Sequence, residues 1–129
     1  MESEVVVTSL DYDCLKEAQS YDPMIKYGYI IAMSVGEIRN LDVDFISIES
    51  SLVKPELVTK IHNMHKDIHV WTVNNKDTAS EMISLGVDNI ITDNVDLVRG
   101  VKENMDWSGR NYLQFYIESI LNIGKYARI

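Results

Sequence analysis

Five short runs of β-branched and aromatic residues recur along this chain about every 20 residues, and that spacing restricts its fold more than any other feature. They are Val5-Val6-Val7-Thr8, Gly28-Tyr29-Ile30-Ile31-Ala32, Asp44-Phe45-Ile46-Ser47-Ile48, Ile68-His69-Val70-Trp71-Thr72-Val73 and Asn89-Ile90-Ile91-Thr92. Runs this short and this apolar read as strands covered on both faces. Most intervals between them carry helical patterns. Asp11 or Asp13 can cap a helix bearing Leu15 and Ala18 that ends before Pro23. Pro55 suits a first helical turn, and Leu57, Val58, Ile61 and Met64 follow as an apolar stripe. Thr78 and Glu81 have capping-box spacing ahead of Met82 and Leu85, and Gly86 ends that helix. Asn94 can cap a helix carrying Val95, Val98 and Val101. Ser34 to Val43 is too short for a full helix and reads as a loop or single turn. Alternating strands and helices predict an α/β fold of parallel βα units.

The 129 residues suffice for one domain, with 46% hydrophobic and 25% charged residues. No apolar run approaches the roughly 18 residues of a membrane span, so the chain itself is expected to be soluble. Cys14, the single cysteine, excludes an internal disulfide and a Cys-rich zinc site; early on a helix, it is expected to be packed. The net charge of −8 argues against a nucleic-acid partner, since such affinity rests on cationic neutralisation of phosphates. That charge is uneven: residues 1–109 hold nine Lys/Arg against 19 Asp/Glu, while residues 110–129 hold three against one. Asp106-Trp107-Ser108-Gly109 reads as a joint between a body, residues 1–106, and a tail, residues 107–129. In the tail Leu113, Tyr116, Ile117, Ile120 and Leu121 follow helical spacing, predicting an amphipathic helix that packs on its own domain or a second copy.

Parallel βα folds gather function at the carboxyl ends of their strands. Here those ends bring Ser9 and Asp11, Met33 and Ser34, Glu49 and Ser50, Thr72 and Asn74, and Thr92 and Asp93. Neither a dinucleotide-binding GxGxxG nor a P-loop occurs. A response-regulator receiver of similar size needs an acceptor Asp after its third strand and a Lys after its fifth. The third run ends Ile48-Glu49-Ser50 and the fifth Ile91-Thr92-Asp93-Asn94, so that reading fails. His62 and His65 are spaced i, i+3, with His69 beyond, which could suit a transition metal. They sit at the opposite, amino end of the strands, however, where helix-end or solvated histidines are expected.

An ordered series of words fits better. Val7-Thr8-Ser9-Leu10-Asp11-Tyr12 precedes Lys26-Tyr27-Gly28-Tyr29-Ile30-Ile31, then Asp44-Phe45-Ile46-Ser47-Ile48-Glu49 and Val70-Trp71-Thr72-Val73-Asn74. Gly86-Val87-Asp88-Asn89-Ile90-Ile91-Thr92-Asp93-Asn94 closes it. The series, over about residues 4–103, resembles the carboxyl-terminal part of glycerophosphodiester phosphodiesterases, and most closely the branch whose barrel follows a multi-span membrane domain. The resemblance implies a (β/α)₈ barrel, with these five strands its fourth to eighth, and a membrane-associated parent protein. It implies hydrolysis of glycerophosphodiesters to glycerol 3-phosphate and an alcohol, with a divalent cation (Mg or Ca). The family's His-Arg-Gly motif, Glu-x-Asp word, second catalytic His-Asp and Glu-x-Lys belong to earlier strands and do not occur here. Asn40-Leu41-Asp42-Val43 echoes the Glu-x-Asp word only superficially.

On that footing the chain is expected to be a fragment that is inactive alone, with no catalytic residue and no metal ligand. Trp71 and Glu49 are the expected walls of the substrate pocket. Asn74 and Asp93 are weaker pocket candidates, expected rather to cap the helices that follow. Five of eight strands cannot close, so the first and last would present free edges. The expected partners are therefore an amino-terminal half-barrel or a second copy in a homodimer. The alternative is a non-catalytic binding or assembly module derived from the barrel.

Overall fold

The computed structural model describes residues 5–32 and 41–107. In chain order they form β1 (Val6–Ser9), α1 (Tyr12–Tyr21), β2 (Lys26–Ile31), β3 (Phe45–Glu49), α2 (Pro55–Asn63), β4 (Asp67–Trp71), α3 (Lys76–Leu85), β5 (Asn89–Ile90) and α4 (Val95–Trp107). A single 3₁₀ turn, Ser50–Leu52, follows β3. The strands form one parallel sheet in the order β1-β2-β3-β4-β5, so each pairs with its successor in sequence. The α/β expectation holds. Of the segment from Ser34 to Val43, residues 34–40 lie outside the described residues, as does the tail from residue 108. The helix α4 runs on to Trp107, into the expected joint.

Helix ends follow local chemistry. The carboxylate of Asp11 accepts from the N–H groups of Asp13 and Cys14, starting α1. Pro55 occupies the first turn of α2. Gly86 stops α3 at φ 77°, a left-handed conformation that glycine adopts without a Cβ penalty. The start of α3 departs from expectation. Its cap is Asn75, whose Oδ1 accepts from the N–H of Thr78 at 2.8 Å; Thr78 lies inside the helix. An Asx side chain just before the first turn outcompetes a Thr three residues later.

The pleat divides the sheet into two unlike faces. Tyr27, Ile31, Ile46, Ile48, Ile68, Val70 and Ile90 point toward the helices and form one core with Leu15, Leu57, Val58, Ile61, Ala79, Met82 and Val101. The register places Phe45, Ser47 and Glu49 of β3 beside Asp67, His69 and Trp71 of β4, on the other face. Val6, Thr8, Lys26, Gly28, Ile30 and Asn89 share that face. No described helix covers it.

At the amino ends of the strands one device occurs twice. Asp44, just before β3, accepts the N–H of Tyr27 in β2 at 2.8 Å. Asp88, just before β5, accepts the N–H of Ile68 in β4 at 2.8 Å. Each carboxylate satisfies a donor on the preceding strand and pins the register.

Candidate functional site

The carboxyl ends of β3 and β4 place Glu49 and Trp71 side by side as register partners on the open face. Both are half-buried. Glu49 turns part of its carboxylate to its own chain, accepting the Ser51 N–H at 3.1 Å, the Ser50 hydroxyl at 3.4 Å and the Ser51 hydroxyl. It thus caps the 3₁₀ turn that leads away from the rim. The Trp71 indole N–H is buried and has no hydrogen-bond partner among the described residues. The Trp71–Thr72 peptide is cis.

Asn74 and Asp93 do not cap the helices that follow. Those caps fall one residue later in each case, on Asn75 for α3 and on Asn94, whose Oδ1 accepts the Leu97 N–H at 3.1 Å, for α4. Asn74 and Asp93 bind each other instead. Asn74 Nδ2 donates to the Asp93 carboxylate at 2.7 Å, while Asn74 Oδ1 accepts the Asp93 N–H at 2.9 Å and the Thr92 hydroxyl at 3.1 Å. This clasp joins the loop after β4 to the loop after β5. The signal for it is positional: each residue stands three places beyond the end of its strand.

The histidines fall elsewhere. His62 is near the end of α2, and its Nε2 lies 2.7 Å from an Asp88 carboxylate oxygen, at the amino end of the sheet. His62 is thus an exposed helix-end histidine, as expected, with a carboxylate partner that the local sequence does not show. The helix α2 ends at Asn63 and His65 has φ 56°, so the two residues do not share a helix face. His69 lies on the open face, its ring stacked on Phe45 with centroids 4.0 Å apart. Among the described residues no group of three His, Cys, Asp or Glu side chains is placed to hold a metal ion. Cys14 is exposed rather than packed, and its hydrogen bond to the Asp11 carboxylate pushes its thiol up from the ordinary value. That environment disfavours the thiolate.

A groove of about 690 Å³ runs along α2, lined by Pro55, Glu56, Thr59, Lys60, Asn63 and Met64. It belongs to the outside of the helix layer and none of the rim residues line it. The polar and aromatic groups converging at the carboxyl ends therefore stand as the candidate site. Their chemistry is that of a wall: an aromatic surface, a carboxylate with acceptor capacity, and an exposed clasp of amide and carboxylate.

Comparison with known proteins bears on what such a wall encloses. The profile of the glycerophosphoryl diester phosphodiesterase family matches residues 3–97. A glycerophosphodiester phosphodiesterase of Mycobacterium tuberculosis is 32% identical over 74 residues, 53% of this chain and 28% of that protein. One from Arabidopsis thaliana is 28% identical over 88 residues, 65% of this chain and 27% of that protein. A crystal structure described as a glycerophosphoryl diester phosphodiesterase from Silicibacter pomeroyi superposes with a TM-score of 0.77 at 24% identity, covering 81% of this chain and 39% of that one. A phosphodiesterase of Oleispira antarctica, solved with the product sn-glycerol-3-phosphate, gives 0.68 at 20% identity over 74% of this chain and 40% of that one. The chain thus spans under a third of the length of these two curated relatives, and its likeness to the solved structures establishes a shared fold. The family's solved structures are (β/α)₈ barrels, so the open five-stranded sheet corresponds to part of one.

Proposed function

Because the chain belongs to the glycerophosphoryl diester phosphodiesterase family, we propose that its strand-end rim is one wall of a pocket for the glycerol moiety of a glycerophosphodiester. The reaction adds water across a phosphate ester bond, releasing glycerol 3-phosphate and an alcohol. The observation that carries this reading is the pairing of Trp71 with Glu49 at the carboxyl ends of adjacent strands, on the face no described helix covers. Trp71 supplies an apolar surface for the glycerol carbons, and Glu49 keeps acceptor capacity for glycerol hydroxyls beyond its bonds to Ser50 and Ser51. The solved relative that holds sn-glycerol-3-phosphate supports the choice of ligand.

The described residues do not fit the divalent cation that this chemistry calls for, since no suitable group of ligands comes together among them. No step of the hydrolysis is therefore assigned to them. The cation, Mg or Ca, and the proton-transferring groups belong on this reading to an amino-terminal half-barrel. The 129 residues act as substrate wall and structural half, inactive alone. The membrane-anchored branch remains the parent suggested by the word series, and coding sequence upstream of Met1 tests it. None of the described helices is long and apolar enough to cross a membrane.

Trp71→Ala in the complete enzyme is the direct test. Loss of the ring should lower kcat/KM by roughly 5- to 150-fold, corresponding to about 1–3 kcal/mol of transition-state stabilisation. Unchanged kinetics in a folded variant would mean that the ring is only packing. For the chain alone, no turnover of glycerophosphocholine with added magnesium or calcium is expected, and chelator-sensitive turnover would refute its inactivity. Tight, metal-independent binding of glycerol 3-phosphate without turnover would favour a binding module.

A further inference from the structure

The geometry points to Asn74 as a positioning residue, whose side-chain amide ties the loop after β5 to the loop after β4 and so holds the Trp71 end of β4 at the rim; this inference rests on the rim being the glycerol wall.

The hydrogen bonds leave one orientation for the amide. Its oxygen faces two donors, the Asp93 N–H and the Thr92 hydroxyl, and its nitrogen faces the Asp93 carboxylate. Turning the amide over would set N–H against N–H and oxygen against a carboxylate. The position therefore needs an acceptor and a donor on one short side chain. Gln is too long for the same geometry, and Asp lacks the donor.

The clasp continues where the backbone pairing stops. The strand β5 has only two residues. Its link to β4 is extended by the Ile91 N–H to Val70 oxygen at 2.8 Å and the Val73 N–H to Ile91 oxygen at 3.0 Å. Asn74 makes the next link outward, one residue before the cap of α3, while Asp93 stands one residue before the cap of α4. One amide thus sets the starts of two neighbouring helices and the exit of the strand that carries Trp71. Its bond to the carboxylate is charge-assisted, the stronger kind of hydrogen bond.

Asn74→Asp isolates that bond. It retains both accepted bonds but sets a second carboxylate against Asp93. The two anions repel at neutral pH and are rejoined when one proton is shared between them. The test uses the whole chain with Trp107→Phe, which leaves Trp71 as the only indole. Far-UV dichroism establishes folding. Trp71 emission follows acrylamide quenching and titration with sn-glycerol 3-phosphate, at pH 7.5 and pH 5 for every protein. Asn74→Ala should weaken binding by about tenfold at both pH values and open Trp71 to acrylamide. Asn74→Asp should do so at pH 7.5 and return toward the parent at pH 5, each ratio taken against the parent at the same pH.

Parent-like binding and quenching in folded Asn74→Ala would overturn the inference, as would an Asn74→Asp defect unaltered by pH. Should Asn74→Ala not fold, the two pH values of Asn74→Asp decide. If the parent chain alone does not bind glycerol 3-phosphate, as a wall without its other half-barrel need not, the quenching measurements decide whether the clasp holds Trp71, and Trp71→Ala in the complete enzyme decides the rim reading.

Discussion

Ile68 and His69 are consecutive on β4 but belong to different environments. Ile68 and Val70 are wholly buried in the core shared with α2 and α3. Asp67, His69 and Trp71 lie on the opposite face, beside Phe45, Ser47 and Glu49. The helix-covered face is almost wholly apolar. The open face mixes charge, aromatic rings and buried polar atoms without partners among the described residues, such as the Asn89 side-chain oxygen. Only one face is organised for stability. The other departs from the apolar pattern where function is expected to be built.

The largest effect that tests this contrast comes from cutting the same kind of atoms from each face. Ile68→Ala should cost about 2–5 kcal/mol in urea unfolding, as a fully buried Ile with no room to relax. Val6 is 51% exposed on the open face, and Val6→Ala should shift stability by about 0.5 kcal/mol or less. If Ile68→Ala leaves no folded baseline, Ile68→Val, at about 0.5–1.5 kcal/mol, takes its place. Equal losses at the two positions would break the contrast.

The open face has one tightly packed spot, and the second prediction concerns it. A Cβ built on Gly28 overlaps the ring of Phe45, which is 2% exposed and stacked on His69. Gly28→Ala should therefore cost about 1–3 kcal/mol through overpacking. Adding Phe45→Leu should recover part of that loss, and a double-mutant cycle measures the coupling. Strict additivity would place the clash elsewhere.

The strands, the Pro55 start of α2 and the Asn94 cap are legible because they depend on local pattern: short β-branched runs, Asx residues and Pro at helix starts; between Asp11 and Asp13 the pattern leaves the choice open, and the structure selects Asp11. The start of α3 was not. Asn74 and Asn75 are adjacent and chemically alike, so the sequence alone cannot tell a cap from a clasp; the partner of Asn74 is 19 residues away. The same limit applies to His62, whose partner Asp88 is distant in sequence, and to the stack of Phe45 on His69, which depends on the β3–β4 register. Glu49 and Trp71 could be read as rim residues because each ends an apolar run. The attachment of Glu49 to its own turn could not be read before the 3₁₀ conformation was known.

Asn75→Ala sharpens this distinction at smaller scale. Loss of the α3 cap should cost about 1 kcal/mol, whereas Thr78→Ala, whose backbone N–H still reaches Asn75, should change stability by about 0.5 kcal/mol or less. A larger loss at Thr78 would restore the capping-box reading.

The smallest expected effect lies on the outside of the helix layer, where Lys16 of α1 meets Asp42 at 2.6 Å. The Lys16 hydrogen bond holds the Asp42 carboxyl below its ordinary value of 3.8, and Asp42 in turn raises Lys16 above 10.5. The lowered Asp42 pKa gives a stabilisation that is present above the unfolded value and is lost as pH falls through the folded one. The raised Lys16 pKa gives one that is present below its unfolded value and is lost as pH rises through the folded one. The pair should therefore contribute a constant increment from about pH 5 to pH 9 and fade in acid below the carboxylate range. Both side chains are substantially exposed, so solvent screening keeps the increment small. Asp42→Asn retains the backbone bonds of residue 42 to Tyr12 and Gln19 and removes only the charge. The difference in Tm between parent and Asp42→Asn should be small and flat near neutrality, shrink in 1 M salt, and vanish toward pH 2. A difference that persists at pH 2 would show that residue 42 acts through its backbone bonds or packing rather than through its charge.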